Sequence, residues 1–520
     1  MAESRKNKFI IHGGILAMAG IIVRIIGMFY RIPLMNIIGS EGNGIYSVAY
    51  NIYNIMLVLS SYGLPMAVSK LISAKFVRKQ YKNAGKIIRC SLVVSVCTGG
   101  LAALLLFFGA NSIEKLYKGV DGLAIPLRVL EPTIFLVAVM GVLRGFFQGQ
   151  GTMIPTAFSQ LIEQVMNAVV SIMAGYILMK TFAQSDNVSA YGAAGGTLGT
   201  AIGALSGLVF MIFLYMAYKP TFVKKQKRDM VSDSLQDSQV YIVILATMVP
   251  IILGQTLYQI SAVIDDAMFS NIMTKMSVSI NIKADLGNFA SSYSLLISIP
   301  QGIASAMSAS MLPSVVASYT KNNMAHVRNK ITSTIKTNMI IAIPSFVGFI
   351  VIGKPIIELL FSGYDSTQGA MMLRIGAIAV VFYTLSTVTS SALQAIDEMR
   401  KPVKNSLISL VVHIIIVYLM LRWSRLGIYA LVIGNASFPI LIFILNLRDL
   451  KKHIDFKLEY IQTFLIPLGC ACIMGFFAWL AYTLMYMCTG ANMISVLVAL
   501  AVAAITYFCP LMLCKKKKWI

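Results

Sequence analysis

Pro126-Leu-Arg128-Val-Leu-Glu131, then an apolar run, then Arg144-Gly-Phe-Phe-Gln148-Gly with Pro155 beyond it: this stretch is written twice in the chain. The second copy reads Met372-Leu-Arg374-Ile-Gly-Ala377, an apolar run, Ser390-Ser-Ala-Leu-Gln394-Ala and Pro402. Arg128 and Arg374 stand 246 positions apart, as do Gln148 and Gln394, so the copies align without a gap until the prolines, which need one more residue. A second echo pairs Gly42-Asn43 and Leu64-Pro65 with Gly287-Asn288 and Leu312-Pro313. Two helical halves with matched segments are a common build among secondary transporters, whose substrate site lies near the midplane where the halves meet.

The residues around these copies say what solvent they face. A soluble domain carries about 25% charged residues; here 12% of 520 residues are charged and 58% are hydrophobic. Apolar stretches of about 20 residues recur, each long enough to cross a bilayer as a helix. The pattern predicts an all-α polytopic membrane protein with about fourteen spans. They fall near 9–30, 44–68, 87–109, 123–147, 153–179, 191–217, 240–270, 286–316, 331–353, 368–395, 403–422, 426–447, 459–485 and 490–514. The first follows Arg5, Lys6 and Lys8, but its apolar part is too long for a signal peptide, so it reads as a retained helix.

The basic, polar loop at 219–239 is the clearest seam. It predicts a first lobe over 1–225, a second over 226–450, and an appended pair of helices with a basic tail over 451–520. Six spans per lobe give both lobes the same orientation, which places the pseudo-symmetry axis along the membrane normal.

A net charge of +23 could suggest nucleic acid, but the basic residues cluster in alternate turns. Lys70, Lys75, Arg78, Lys79, Lys82 and Lys86 share one turn, Lys219, Lys224, Lys225, Lys227 and Arg228 another, and Lys515 to Lys518 close the chain. This is the positive-inside bias. It puts both termini in the cytoplasm, excludes a nucleic-acid partner and leaves anionic lipid as the partner of the tail. The seven cysteines are odd in number, sit mostly in apolar spans and form no CxxC pair, so they imply neither disulfides nor zinc. No phosphate-binding glycine loop or hydrolase motif stands in a suitable context, so no cofactor is expected.

Ionisable groups inside spans are expensive and usually face a cavity. Arg24 lies within Gly20-Ile-Ile-Val-Arg24-Ile-Ile-Gly27, and Arg31 is two turns on, on the same face. Two stacked guanidinium groups suit the oxygens of a phosphate. The competing readings are a carboxylate partner for Arg24 and an outer-surface position for Arg31. Arg128 and Glu131 have the spacing of a helical ion pair, whereas Ala377 leaves Arg374 without such a partner. Glu163, Asp265 and Asp266 are candidates for a coupling Na+ or H+. Their alternatives are a hydrogen-bonded structural carboxylate for Glu163 and helix-end exposure for the two aspartates. Asn51, Asn54, Gln255, Tyr258 and Gln259 are the polar residues expected to meet sugar hydroxyls, and His413 reads as core. Pro65, Pro250, Pro300 and Pro344 are expected to bend or break their helices.

The run from Arg144 through Pro155 to Gln160-Leu-Ile-Glu163-Gln164 resembles the signature of the stage V sporulation protein B group. So do Arg24-Ile-Ile-Gly27-Met-Phe-Tyr-Arg31-Ile-Pro33, Gly42-Asn-Gly44-Ile-Tyr46 and Gly63-Leu-Pro65-Met-Ala-Val-Ser-Lys70. The resemblance spans essentially the whole chain. It implies the multidrug/oligosaccharidyl-lipid/polysaccharide exporter superfamily, in the branch near the lipid II flippases. That implies fourteen helices in two lobes forming a V, transport of undecaprenyl-pyrophosphate-linked sugars by alternating access, and a lipid-tail groove at the last two helices. Arg24 matches the essential arginine of the first helix and Arg31 lies near the second one. The family's arginines of the second and eighth helices are absent, with Met56-Leu57 and Leu295 in those regions.

The reading is therefore a bacterial inner-membrane flippase for a lipid-linked glycan precursor, working as a monomer rather than as an enzyme. Arg24 and Arg31 would hold its pyrophosphate, and Arg374 is a further substrate-binding candidate, facing either the cavity or a lipid head group. The rivals are a cation-coupled multidrug antiporter of the same fold, which would want cavity carboxylates, and a membrane glycan polymerase or ligase, which would want a large outer loop.

Overall fold

The structure, a computed structural model, describes residues 2–229, 236–276, 280–424 and 426–516. It is helical throughout, with no β-strand among the described residues. Among the described residues, thirteen helical segments are long and apolar enough to cross a membrane, the first of them Met18–Val77. The first of the thirteen accounts for the fourteenth expected span. α1 covers Ala2–Ser61, 60 residues. At ~1.5 Å per residue that is about three bilayer cores in length, so it cannot be one crossing. Gly39, at φ 69° and ψ 179°, turns the chain within it. That backbone geometry suits a residue with no Cβ.

The chain packs as two compact units, Met1–Thr274 and Lys275–Ile520. The first holds α1, α2 (Leu64–Val77), α3 (Tyr81–Leu116), α4 (Ala124–Gly149), α5 (Ile154–Thr181), α6 (Val188–Lys227) and α7 (Asp237–Lys275). Its tightest joint is α5 against α6. A Cβ placed on Gly195 would come 2.5 Å from the Gly175 nitrogen, one on Gly199 would come 2.0 Å from Ser171 Oγ, and one on Gly203 would come 2.5 Å from the Glu163 carbonyl. Small residues every four positions let two backbones meet where no hydrophobic force drives helices together.

The packing division falls one helix beyond the 219–239 loop because α7 joins the first unit. Val240, Ile244 and Met248 enter the core built on Leu64, Ile72 and Phe146. Lower down, the Tyr117 hydroxyl donates to the Val263 carbonyl at 3.1 Å, and Asn271 Nδ2 donates to the Leu116 carbonyl at 2.6 Å. α7 runs as one helix through this whole length.

The second unit holds α8 (Ile282–Asn288), a π-helical turn at Phe289–Leu295, α9 (Leu296–Tyr319) and α10 (Met324–Leu360). α11 (Ser366–Gly376), α12 (Ile378–Ala395), α13 (Arg400–Trp423) and α14 (Tyr429–Ile454) follow. The last pair is α15 (Ile466–Thr489) and α16 (Asn492–Lys516). Both lie against α10: the Tyr507 hydroxyl donates to the Ile340 carbonyl at 2.9 Å and Asn492 Nδ2 to the Pro355 carbonyl at 3.1 Å.

The breaks differ from those the prolines suggested. In α10 the helix departs from helical angles at Ile352, between Pro344 and Pro355. Before Pro300 the departure is the π turn at 289–295, which lets the Tyr293 hydroxyl reach the Gly376 carbonyl at 3.3 Å and Asn435 Oδ1 at 3.2 Å. Such single wide turns mark places where a helix must present a side chain off its regular register. Pro65 stands in the first turn of α2, after a break at Tyr62-Gly63, where its missing N–H costs nothing.

Candidate functional site

In the first unit the polar side chains of α1 converge on one region. Arg31 is half-buried, with its guanidinium 5.5 Å from the centre of the Tyr50 ring. The hydroxyls of Tyr30, Tyr46 and Tyr50 are its polar neighbours. Tyr46, Tyr50 and Tyr53 follow one another at helical spacing, and successive ring centres lie 5.6 Å apart. A guanidinium set over an aromatic face gains cation–π energy while keeping N–H donors free for an oxyanion. Arg24 sits two turns earlier on the same helix and is exposed.

A line of polar residues on α5 ties this region to its neighbours. Glu163, Asn167 and Ser171 are four residues apart and share a face. Glu163 accepts from Arg144 Nη2 at 2.7 Å, and Arg144 also donates to Ser159 Oγ at 2.8 and 3.2 Å. Asn167 Nδ2 donates to the Tyr30 hydroxyl at 3.4 Å. Ser171 Oγ reaches Asn167 Oδ1 at 2.9 Å and the Gly196 carbonyl at 2.8 Å. Glu163 thus has a cationic partner from α4. The sequence reading gave Arg144 no part among the in-membrane charges, because its partner lies across a helical hairpin and not on its own helix.

Asp265 and Asp266 are buried, 8% and 5% exposed, so the helix-end exposure considered for them does not occur. Asp266 accepts from Asn51 Nδ2 at 2.9 Å, which joins α7 to the polar face of α1. Asn54 and Gln255 are half-buried and Gln259 is exposed, while the side chain of Tyr258 lies outside the described residues. The helical ion pair expected of Arg128 and Glu131 is replaced by another contact: exposed Arg128 donates to Asn111 Oδ1 at 3.0 Å. Asn111 lies on α3, and its amide oxygen meets the guanidinium across the α3–α4 joint. Arg374 belongs to the second unit, exposed in the last turn of α11. His413 is buried in the core, its Nδ1 2.9 Å from the Gly434 carbonyl.

The second unit holds a groove of its own. A space of about 340 Å³ between α10, α15 and α16 is lined by Ile341, Pro344, Phe349, Met474, Leu500 and Ala503. Ile340 and Phe508 also line a more polar space of about 530 Å³ that contains Lys336 and Glu459. Lys336 pairs with Glu459 at 2.6 Å.

A two-unit, all-helical, multi-pass membrane protein with charged side chains inside its spans has the architecture of a secondary transporter. Residues 12–318 match the family model described as "Polysaccharide biosynthesis protein", and 279–363 match a second model of that description. The chain belongs to the polysaccharide biosynthesis protein family. It is 24% identical over 478 residues to lipid II flippase MurJ of Bacillus subtilis (strain 168), covering 89% of this chain and 86% of that one. Stage V sporulation protein B of the same organism is 22% identical over 464 residues, 88% of this chain and 87% of its own length. Among solved structures, a lipid II flippase MurJ in an inward closed conformation superposes with TM-score 0.68 at 17% identity, covering 94% of this chain and 97% of that one. An inward-facing multidrug resistance MATE transporter of the MOP superfamily gives TM-score 0.63 at 18% identity over 84% of this chain and 98% of that one. The fold is that of the MOP transporters.

Proposed function

We propose that the chain is a flippase that carries a lipid-linked glycan precursor across the bacterial inner membrane by alternating access, acting as a monomer with both termini in the cytoplasm. The observation that carries this reading is the setting of Arg31, an in-membrane guanidinium whose neighbours are aromatic rings and hydroxyls. A cation kept that way is a standing donor site for a phosphate oxygen. Arg24, exposed on the same face of α1, supplies the second charge, and Asn51, Asn54 and Gln255 supply donors and acceptors of the kind sugar hydroxyls need. The apolar groove at α10, α15 and α16 suits a prenyl tail. The relatives named lipid II flippase and stage V sporulation protein B favour a peptidoglycan-type cargo.

A second reading, a cation-coupled drug antiporter, draws on the likeness to a MATE transporter and on the buried Asp265–Asp266 pair. One experiment separates them. Expression of the chain in cells depleted of their own lipid II flippase should restore growth and outward transport of lipid-linked disaccharide. Drug resistance without rescue would favour the antiporter. If Asp265 or Asp266 carries the coupling cation, the double Asn variant should lose transport and keep substrate binding.

A further inference from the structure

The signature stretch Gly63–Lys70 and the α4–α5 turn at Gln148–Pro155 form no part of the site around Arg31, yet the first unit brings them together. Glycines on α4 make this possible. A Cβ on Gly145 would lie 2.7 Å from the Pro65 carbonyl, and one on Gly149 would lie 2.7 Å from Ile72 Cβ. α2 therefore lies directly on α4, and its face bearing Ser69, Lys70 and Ser73 is set beside the α4–α5 turn. Gly151, at φ 83°, closes that turn. Between them is a cavity of about 1150 Å³, whose polar wall is Ser69, Lys70, Ser73, Gln148, Gln150 and Thr152.

The chemistry of this wall is one-sided. Among the described residues no carboxylate lines the cavity. Lys70 makes no ion pair among the described residues. The Gln150 Nε2 donor is buried without a hydrogen-bond acceptor, while Gln148 is held by its Nε2 donating to Thr156 Oγ1 at 3.2 Å. Lys70 and Ser73 are exposed, with their side chains open to this space. Phe76 and Tyr81 add an aromatic wall, their ring centres 5.3 Å apart. Lys225, with Nζ 5.8 Å from the Tyr81 ring, brings a second cation beside it. An anion that also carries many hydroxyls fits this set; a cationic drug does not. The volume exceeds the ~300–1000 Å³ usual for small-ligand clefts, which suits an oligosaccharide-sized group.

We infer that this cavity is a docking site for the phosphorylated sugar headgroup of the lipid substrate, used before the headgroup reaches the arginines of α1. The cavity opens among the basic turns, the side on which a precursor made in the cytoplasm would arrive. The inference rests on the flippase reading for the identity of the lipid. Lys70 would meet a phosphate oxygen, the serines the sugar hydroxyls, and Tyr81 the apolar face of a ring.

The test uses the full chain in lipid nanodiscs with a thiol reporter, Ser73→Cys, and a membrane-impermeant maleimide whose adducts are resolved by mass spectrometry. A short-chain prenyl-pyrophosphoryl disaccharide should protect the reporter several-fold, and Lys70→Gln should remove that protection. Equal protection by free hexose 1-phosphate would overturn the lipid assignment. No protection by any of these probes would overturn the site, even if the wild-type chain flips lipid-linked sugar. In proteoliposome flipping, Lys70→Gln should raise the apparent KM about tenfold with the maximal rate nearly unchanged, as expected when one charge-assisted bond to the bound headgroup is lost. An unchanged KM would contradict the inference. Ser318→Ala, at the repeat position equivalent to Lys70, should change neither quantity.

Discussion

The duplicated segment holds its hairpin with an ion pair in one unit and with amides and hydroxyls in the other. Arg144 and Ser390 occupy equivalent positions. In the first unit Arg144 clasps Ser159 and Glu163 on the following helix. In the second, Ser390 Oγ accepts from Asn446 Nδ2 at 2.9 Å, and Asn446 Oδ1 accepts from Asn405 Nδ2, also at 2.9 Å. Asn405 reaches on to Asp449 Oδ2 at 2.9 Å. The cavity beside the hairpin follows the same division. Its Lys70, Gly149 and Gln150 correspond to Ser318, Ala395 and Ile396, and Ile396 is buried as core. A repeated scaffold thus keeps its joint while its chemistry diverges. The first unit has specialised toward charge, and the second carries the apolar groove under α15 and α16.

The sharpest way to break this comparison is at the glycine-lined joint between α5 and α6 of the first unit. Gly195→Val would drive side-chain carbons into the Gly175 backbone and should cost about 3 kcal/mol or more, read as a large loss of thermal stability in detergent. A small change would mean that α5 and α6 can separate freely. Next in size is the ion pair. Glu163→Gln keeps the shape but leaves the Arg144 charge half-buried without its partner, and should cost about 1.5–3 kcal/mol. The double variant Arg144→Met with Glu163→Leu should recover much of that, since replacing both partners by apolar groups is often neutral. Failure to recover would show that the pair does more than hold α4 to α5. The smallest effect belongs to the hub around Asn446: Ser390→Ala removes one acceptor and should cost about 1 kcal/mol. A Ser390→Ala loss as large as that of Glu163→Gln would erase the contrast between the units.

Much of this architecture could be read before any coordinates. Apolar length gave the spans, and the repeat offset located matched segments whose chemistry could then be compared. The turn at Gly39 was not legible, because one glycine with a positive φ leaves no trace in hydropathy. Nor was the Arg144–Glu163 pair, since helical spacing arguments see partners three or four residues apart and this one spans a hairpin. The burial of Asp265 and Asp266 was hidden for a related reason: polar residues near the end of an apolar run look solvated until another helix, here through Asn51, is laid against them. The tyrosines at 46, 50 and 53 did have a visible helical spacing. They needed Arg31 beside them, in space rather than in sequence, before that spacing meant anything.

The central claim is that the guanidinium groups of α1 hold the anionic part of a lipid-linked sugar. An arginine near the middle of a span costs about 2.5–3.5 kcal/mol on insertion scales, so a merely structural Arg24 should be replaceable by an apolar side chain of similar length. The direct measurement is flipping of a fluorescent prenyl-pyrophosphoryl disaccharide in proteoliposomes, comparing wild type, Arg24→Lys and Arg24→Met at matched amounts of folded protein. The account predicts partial transport for Arg24→Lys, which keeps the charge without the two-pronged donor, and none for Arg24→Met. A well-folded Arg24→Met protein that flips at the wild-type rate would contradict it.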